Sequence, residues 1–309
     1  MRAVLIQADV DHSQPFEQRV GALCAAVVAQ RGADVVILPE LWATGYFAFD
    51  DYDRTAEPLD GPTVLALRDA AIDADVHLHA GSIVERGPGG GLFNTSLLFG
   101  PDGVLLHAYR KVHLFGHQSK ESAFLKPGET VQALDTGIGR VGLAACYDLR
   151  FPELFRVLAD DGAEILLVAA AWPAARIAHW RLLVQARALE NQAWVLACNA
   201  AGRQADVKLG GASLIVDPWG RIVAEADTSD AVLSAVLDPA DVARARADFP
   251  AFSDRRIPTV RAAVRSPAPP RGPDHPSHAP SATPTAPGAV VHDPASTTWP
   301  AGRTTSCSR

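Results

Sequence analysis

Residues 139–156 read GRVGLAACYDLRFPELFR, a strand that hands its last residue to a helix through a short polar turn. Val141–Cys146 is an apolar run of strand length, and Pro152 suits the first turn of the helix that follows. Strand, turn and helix in this order belong to an α/β fold, where ligands gather beyond the carboxyl ends of strands. Cys146 stands at such an end. A thiol there lies near the positive end of a helix, which favours its thiolate and predicts alkylation well below pH 8.5. The turn also leaves backbone N–H groups, that of Tyr147 first, free to bind an oxyanion. Asp148 and Arg150 are spaced to pair and hold the turn. Read alone, Cys146 is also an inert buried cysteine; the polar residues crowded behind it point toward chemistry.

Outward from this stretch the α/β pattern continues on both sides. Strands are expected at Arg2–Ala8, Asp34–Leu38, Val76–Val84, Asn94–Gly100, Val104–Tyr109 and Thr130–Asp135. Further ones follow at Ile165–Ala169, Trp194–Asn199, Ala212–Asp217, Arg221–Ala226 and Ala231–Asp238. Val20, Leu23, Cys24, Val27 and Val28 make an amphipathic helical stripe, and further helices are expected at Pro62–Ala74, Pro152–Asp161, Arg176–Asn191 and Pro239–Ala247. Pro101-Asp102-Gly103 and Pro218-Trp219-Gly220 are turns between strands. Residues 1–262 therefore read as one α/β domain, built on a mixed sheet or on two sheets with helices outside. From Ser266 to Pro300 ten of 35 residues are proline, among Ala, Ser, Thr and Gly. Residues 263–309 are expected to be a disordered tail, because so few apolar side chains do not offset the entropy of ordering them.

The composition narrows the function. Of 309 residues 48% are hydrophobic, enough for a sizeable core. A net charge of −7 argues against a dedicated nucleic-acid binder. No apolar run is long enough to span a membrane. The opening MRAVLIQADVDHSQPFEQ lacks the features of a secretory signal. Cys24, Cys146, Cys198 and Cys307 are scattered, without a Cys-x-x-Cys pair, as reduced thiols are. The expectation is a cytoplasmic protein with a small-molecule substrate.

Two more strand ends carry ionisable residues. In VVILPELWATGYF (35–47) Glu40 follows four aliphatic residues and a proline. Partial desolvation raises a carboxyl pKa there and fits it for general-base work; a helix cap or a structural ion pair fits the same position. In HAYRKVHLFG (107–116) Lys111 lies between an expected strand and an apolar patch, and held inward it would be a fixed charge for a developing oxyanion. Arg110 would then point the other way. An ordinary surface pair of basic residues is the alternative.

Taken together, Glu40 in LPELWATGY, Lys111 in YRKVHLF and Cys146 in ACYDLRFPE resemble the Glu, Lys, Cys triad of the carbon–nitrogen hydrolase (nitrilase) superfamily, over roughly residues 2–258. The resemblance implies a four-layer α-β-β-α sandwich that pairs into a homodimer or a higher homo-oligomer. It also matches Glu121, in ESAFLKPGE, to a second glutamate that orients the lysine and the substrate. Cys-Tyr-Asp-x-Arg-Phe-Pro-Glu is similar to the amidase branches, especially ω-amidases acting on 2-oxo-dicarboxylate monoamides; nitrilases proper tend to carry Cys-Trp-Glu after the nucleophile. In AAWPAARIAHWRLLVQARALENQAWVLACNAAG (170–202), Arg176 is placed either to clamp a substrate carboxylate or to start a helix at the surface. Trp172 and Tyr46 are pocket walls or core aromatics. Arg187, Glu190 and Asn191 are expected to fix helix packing or the dimer.

The expected chemistry is hydrolysis of a small carboxylate-bearing amide through a Cys146 thioester, with Glu40 as base and acid, and with Lys111 and the Tyr147 N–H holding the oxyanion. Turnover should vanish in Cys146→Ala and Lys111→Ala with the fold intact. Hydrolysis of N-carbamoyl amides or of nitriles suits the same residues. So does acyl transfer to an amine, and a non-catalytic dimeric interaction module is the reading of another class. No cofactor is expected. His77 and His79 alternate on one strand, and His107, His113 and His117 lie close in number, but without metal-ligand spacing no metal is expected.

Overall fold

The structure, a computed structural model, describes residues 1–116 and 119–257. In chain order the strands are β1 (Arg2–Gln7), β2 (Val35–Ile37), β3 (His77–Arg86), β4 (Leu92–Phe99), β5 (Leu105–Arg110), β6 (Ala133–Thr136) and β7 (Gly139–Ala145). They continue with β8 (Ile165–Ala170), β9 (Trp194–Asn199), β10 (Arg203–Gln204), β11 (Val207–Lys208), β12 (Leu214–Val216), β13 (Ile222–Glu225) and β14 (Ala231–Val236). The helices are α1 (Phe16–Val28), α2 (Tyr52–Thr55), α3 (Pro62–Ala74), α4 (Glu121–Phe124), α5 (Pro152–Asp160), α6 (Ile177–Asn191) and α7 (Ala240–Asp248).

Twelve of the strands form two six-stranded sheets, ordered β14-β1-β2-β3-β4-β5 and β13-β12-β9-β8-β7-β6, and β10 and β11 pair by themselves, so the open choice between one mixed sheet and two resolves to two large sheets. β1, β2 and β3 run parallel, as do β7, β8 and β9. Antiparallel strands complete each sheet on both sides. Alternation along the strands sorts side chains into layers. Leu5, Val35, Ile37 and Leu98 of the first sheet join the core of the second. Val4, Ile6, Val36 and Leu97 turn the other way, against Val20, Leu23 and Val27 of α1 and Leu67 and Ala71 of α3. β8 and β9 are buried on both faces and read as unbroken apolar runs. Their outer side is closed by Leu154, Phe155 and Leu158 of α5 and by Trp180, Val184 and Ala188 of α6. The result is the four-layer α-β-β-α sandwich.

This topology collects the loops that matter. Glu40 follows β2, Lys111 follows β5, Cys146 follows β7, and Ala171 follows β8. The helix expected at Arg176–Asn191 begins one residue later, and Arg176 ends a 3₁₀ turn, Ala174–Arg176. The β10–β11 hairpin was not expected, because two-residue strands are too short to show a period. The 263–309 tail, His117 and Cys307 lie outside the described residues. Among the described residues no helix is long and apolar enough to cross a membrane.

Candidate active site

Glu40 is aimed by the turn that leaves β2. The Leu41 N–H donates to Ser82 Oγ at 3.0 Å and the Trp42 indole N–H to the Ala80 carbonyl at 3.0 Å. Both anchors come from β3, whose pairing with β4 slips between His79 and Ser82. Gly81 in that slip has φ +67 and lies so close to the turn that a Cβ would sit 1.8 Å from the Pro39 carbonyl oxygen; only glycine suits both demands. Lys111 is held at its backbone. Its N–H donates to the Asn94 carbonyl at 2.8 Å, and its carbonyl accepts from the Gly128 N–H at 2.8 Å.

The side chains meet in a closed network. Lys111 Nζ lies 2.8 Å from Glu40 Oε1, and 2.9 and 3.1 Å from the two Glu121 oxygens, with all three residues 0% exposed. Asn94 Nδ2 bridges the carboxyls, at 2.8 Å from Glu40 Oε1 and 3.0 Å from Glu121 Oε1. Glu40 Oε2 accepts the Ala171 N–H at 3.0 Å. Glu121 Oε2 accepts the Tyr46 hydroxyl at 3.0 Å and the Phe115 N–H at 2.7 Å. The buried Cys146 thiol lies close enough to Glu40 for each group to shift the other's titration.

Electrostatics follow from burial and from two carboxyls sharing one ammonium. Burial raises the Glu40 pKa, Lys111 opposes it and Glu121 adds to it, for a net rise. Burial would lower the Lys111 pKa, but Glu121 and Glu40 outweigh it, so the ammonium is held charged. Cys146 departs from the sequence expectation. Its thiol pKa is pushed well up, first by burial and then by the Glu40 carboxylate, against the pull of Lys111. A 3₁₀ turn, Cys146–Arg150, separates it from α5, so no long helix points at the sulfur. The resting thiol is protonated, and low-pH alkylation is no longer the expectation. Cys146 also has φ +45, a left-handed conformation that a non-glycine residue holds only under constraint. Asp148 supplies that constraint by accepting from the Ala145 N–H, the Tyr109 hydroxyl and His113. It does not use the expected pairing with Arg150, whose guanidinium instead lies 4.7 Å from the Trp172 ring centroid.

The carbon–nitrogen hydrolase profile matches residues 5–247. The 2-oxoglutaramate amidase of Paenarthrobacter nicotinovorans is 37% identical over 258 residues, covering 81% of this chain and 88% of that protein. A branch-10 member of the nitrilase superfamily from Saccharomyces cerevisiae superposes with a TM-score of 0.74 at 32% identity, covering 83% of this chain and 97% of that one. A variant of the amidase from Nesterenkonia sp. AN1 superposes with a TM-score of 0.71 at 28% identity, covering 83% and 94%. It carries the acetamide moiety of fluoroacetamide covalently added at its active-site cysteine. The chain belongs to the carbon–nitrogen hydrolase family.

In this hydrolase Cys146 lies at 8% exposure beside an open cleft that is also lined by Tyr46, Tyr147, Arg150, Trp172 and Arg176. Tyr46 and Trp172 are 2% exposed and face the cleft while also belonging to the core. Trp172 is fixed by Asn199, whose Oδ1 accepts its N–H at 2.6 Å. Starting outside α6 leaves the Arg176 side chain to turn toward the cleft, 5.5 Å from the Phe115 ring centroid. Arg187 donates to the Leu149 carbonyl and pairs with Glu190, while Asn191 donates to the Arg187 carbonyl, so these three tie α6 to the turn after Cys146. Arg110 faces away as expected and pairs with Glu85. His113 sits on Asp148 and His179 on Arg150, and among the described residues no group of three His, Cys, Asp or Glu is arranged to hold a metal. Asn94 and Arg150 are additions. An amide opening an apolar strand was the available signal for Asn94; for Arg150 the sequence offered only a partner for Asp148.

Proposed function

We propose that this carbon–nitrogen hydrolase cleaves small carboxylate-bearing amides, as an ω-amidase does, and releases ammonia through a Cys146 thioester. The observation that carries the assignment is the Lys111 ammonium set 2.8 Å from Glu40, with the buried Cys146 thiol near enough to feel that same carboxyl. Glu40 takes the thiol proton as sulfur attacks the amide carbon. A resting thiol rather than a thiolate fits this sequence, because charge then appears only when the carbonyl is in place. Lys111 and the Tyr147 N–H stabilise the tetrahedral oxyanion. Glu40 then returns the proton to the departing ammonia and afterwards activates the water that cleaves the thioester. Glu121 and Asn94 hold Lys111 and Glu40 in register, and the Tyr46 hydroxyl steadies Glu121.

The substrate class is argued from charge. Arg150 and Arg176 share the cleft with Cys146, and burial lowers the Arg150 pKa, with Arg176 acting in the same direction. Two guanidinium groups at one end of a narrow cleft suit a carboxylate, which Arg holds bidentately. Tyr46 and Trp172 supply flat apolar walls for the carbon chain. The name of the Paenarthrobacter relative points to the same class. The test is ammonia release from 2-oxoglutaramate, with Cys146→Ala as control. Release by wild-type protein alone is expected; release from no carboxylate-bearing amide would remove this substrate class.

The working form we propose is a cytoplasmic homodimer. α6 exposes Leu182 at 68% and Leu189 at 55%, seven residues apart on one face, as a helix does when a second copy covers it. Scattered unpaired cysteines fit a reducing compartment.

A further inference from the structure

Outside the cleft that holds Cys146 lies a larger cavity of about 310 Å³. The two share Phe47, Phe115, Pro173 and Arg176, so they lie side by side. The inner part is narrow, with free volume of about 20 Å³, room for about one water. A substrate that outgrows this inner part reaches toward the outer chamber.

One wall of that chamber is the β10–β11 hairpin, which contributes Asp206, Val207 and Lys208. The hairpin is fastened on both sides to the inner cleft. Gln204 Oε1 accepts the Tyr46 N–H at 2.9 Å. The Gly210 N–H donates to the Trp172 carbonyl at 2.8 Å, and Leu209 bridges Pro173. Its tip turns through Ala205 at φ +48, the positive φ that a tight two-residue hairpin loop takes. Lys208 is thereby carried at a fixed place in the mouth.

The charge there runs against the rest of the molecule. The chain has a net charge of −7, yet the charged side chains lining the two cavities are Arg150, Arg176 and Lys208 against a single acid, Asp206. Among the described residues none of the three cations has an ion-pair partner. Cations left unpaired around a partly enclosed, apolar-walled cleft raise the local concentration of anions and bind them more strongly than in open solvent.

We propose that Lys208 is a specificity-determining residue of the outer chamber. With Arg176 it selects amides that carry a carboxylate beyond a spacer of methylene length, the spacer lying along Phe47, Phe115 and Val207. This assignment rests on the carboxylate-amide reading above and extends it to chain length. Arg176 serves both cavities, whereas Lys208 belongs to the outer one, so Lys208 matters more as the dicarboxylate monoamide lengthens.

The test compares kcat/KM for glutaramate with that for pentanamide, a neutral amide of equal length, and for succinamate with adipamate. Wild type is expected to prefer glutaramate. Lys208→Ala should lower that preference about tenfold, through KM rather than kcat, as expected on losing one charge-assisted hydrogen bond. Lys208→Arg should restore it and Lys208→Glu should depress it further, with adipamate penalised more than succinamate. The exposed position of Lys208 makes all three variants foldable, which a thermal melt verifies. A glutaramate preference undiminished in both Lys208→Ala and Lys208→Glu overturns this assignment while leaving the amidase reading in place. A wild-type enzyme indifferent to the carboxylate overturns the substrate reading, and this assignment with it.

Discussion

At Cys146 the backbone is held at φ +45, and its neighbour in the network, Leu41, at φ +43. Each costs on the order of 1 kcal/mol for a residue with a Cβ, and both border the Glu40–Lys111–Cys146 cluster. Replacing the sulfur removes chemistry without touching the buried charges. Cys146→Ala should therefore lose turnover below detection and melt like wild type; amidase activity persisting in the purified variant would refute the nucleophile assignment. Lys111 differs. Its loss leaves Glu40 and Glu121 facing each other in a dry site, so Lys111→Ala should be inactive and also destabilised by about 3–5 kcal/mol in urea unfolding. The fold expected to survive from the sequence should therefore survive at a cost in stability, because two carboxyls lose the ammonium they share. The Glu40 pKa is raised by burial and by the Glu121 charge, so the acid limb of kcat/KM should fall above the ordinary carboxyl value. Glu121→Gln removes one raising influence and should move that limb to lower pH. A limb that stays put or rises would show that Glu121 does not act on Glu40 electrostatically.

Among the elements, β3 does two jobs. Its irregular stretch, His79–Ser82, buttresses the Glu40 turn through Gly81, Ala80 and Ser82. Gly81→Ala would force the Pro39 carbonyl away and carry Glu40 with it. A drop in kcat of at least about tenfold is expected, since misplacement by 1 Å can cost far more; a variant with normal kcat would show that the turn tolerates displacement. The same strand buries His79 completely, with neither ring nitrogen hydrogen-bonded. Burial, reinforced by His107, drops its pKa to about 3 from the model-compound 6.5. Below pH 6.5 the unfolded chain takes up a proton that the folded chain refuses, so stability falls as pH drops through the window between 6.5 and about 3. The slope contributed is up to about 1.4 kcal/mol per pH unit. His79→Leu should flatten the pH dependence of urea unfolding between pH 7 and 5, and an unaltered slope would mean another group drives it.

For the whole molecule, α6 leaves two large apolar side chains uncovered, Leu182 and Leu189. Both lie on one face of the helix, whose opposite side carries Arg187 to the Leu149 carbonyl just behind Cys146. A second copy pressed on this face would stiffen the turn that holds the thiol. Leu182→Asp is expected to shift the protein from dimer to monomer in light scattering and to lower kcat with it. A wild type that is monomeric at all concentrations would refute the dimer. At this scale the positive mouth of the cleft also sets salt dependence: kcat/KM for an anionic amide should fall with ionic strength, while that for a neutral amide holds.

The sequence marked the strands of the two large sheets, the long helices, and Glu40, Lys111 and Cys146 as strand-end candidates, because each of these is written locally; a family resemblance joined the three residues. Apolar runs of strand length, prolines at helix starts and ionisable residues at strand ends need no knowledge of distant neighbours. What required the folded chain was whatever depends on two segments meeting. Two sheets rather than one, Asn94 bridging the carboxyls of the turn after β2 and of α4, and Arg150 over Trp172 are all contacts across long sequence separations. The protonated state of Cys146 belongs with them. The order of residues suggested a helix end beside the sulfur, whereas packing buried the thiol against Glu40, and desolvation outweighs a short 3₁₀ turn as a source of field.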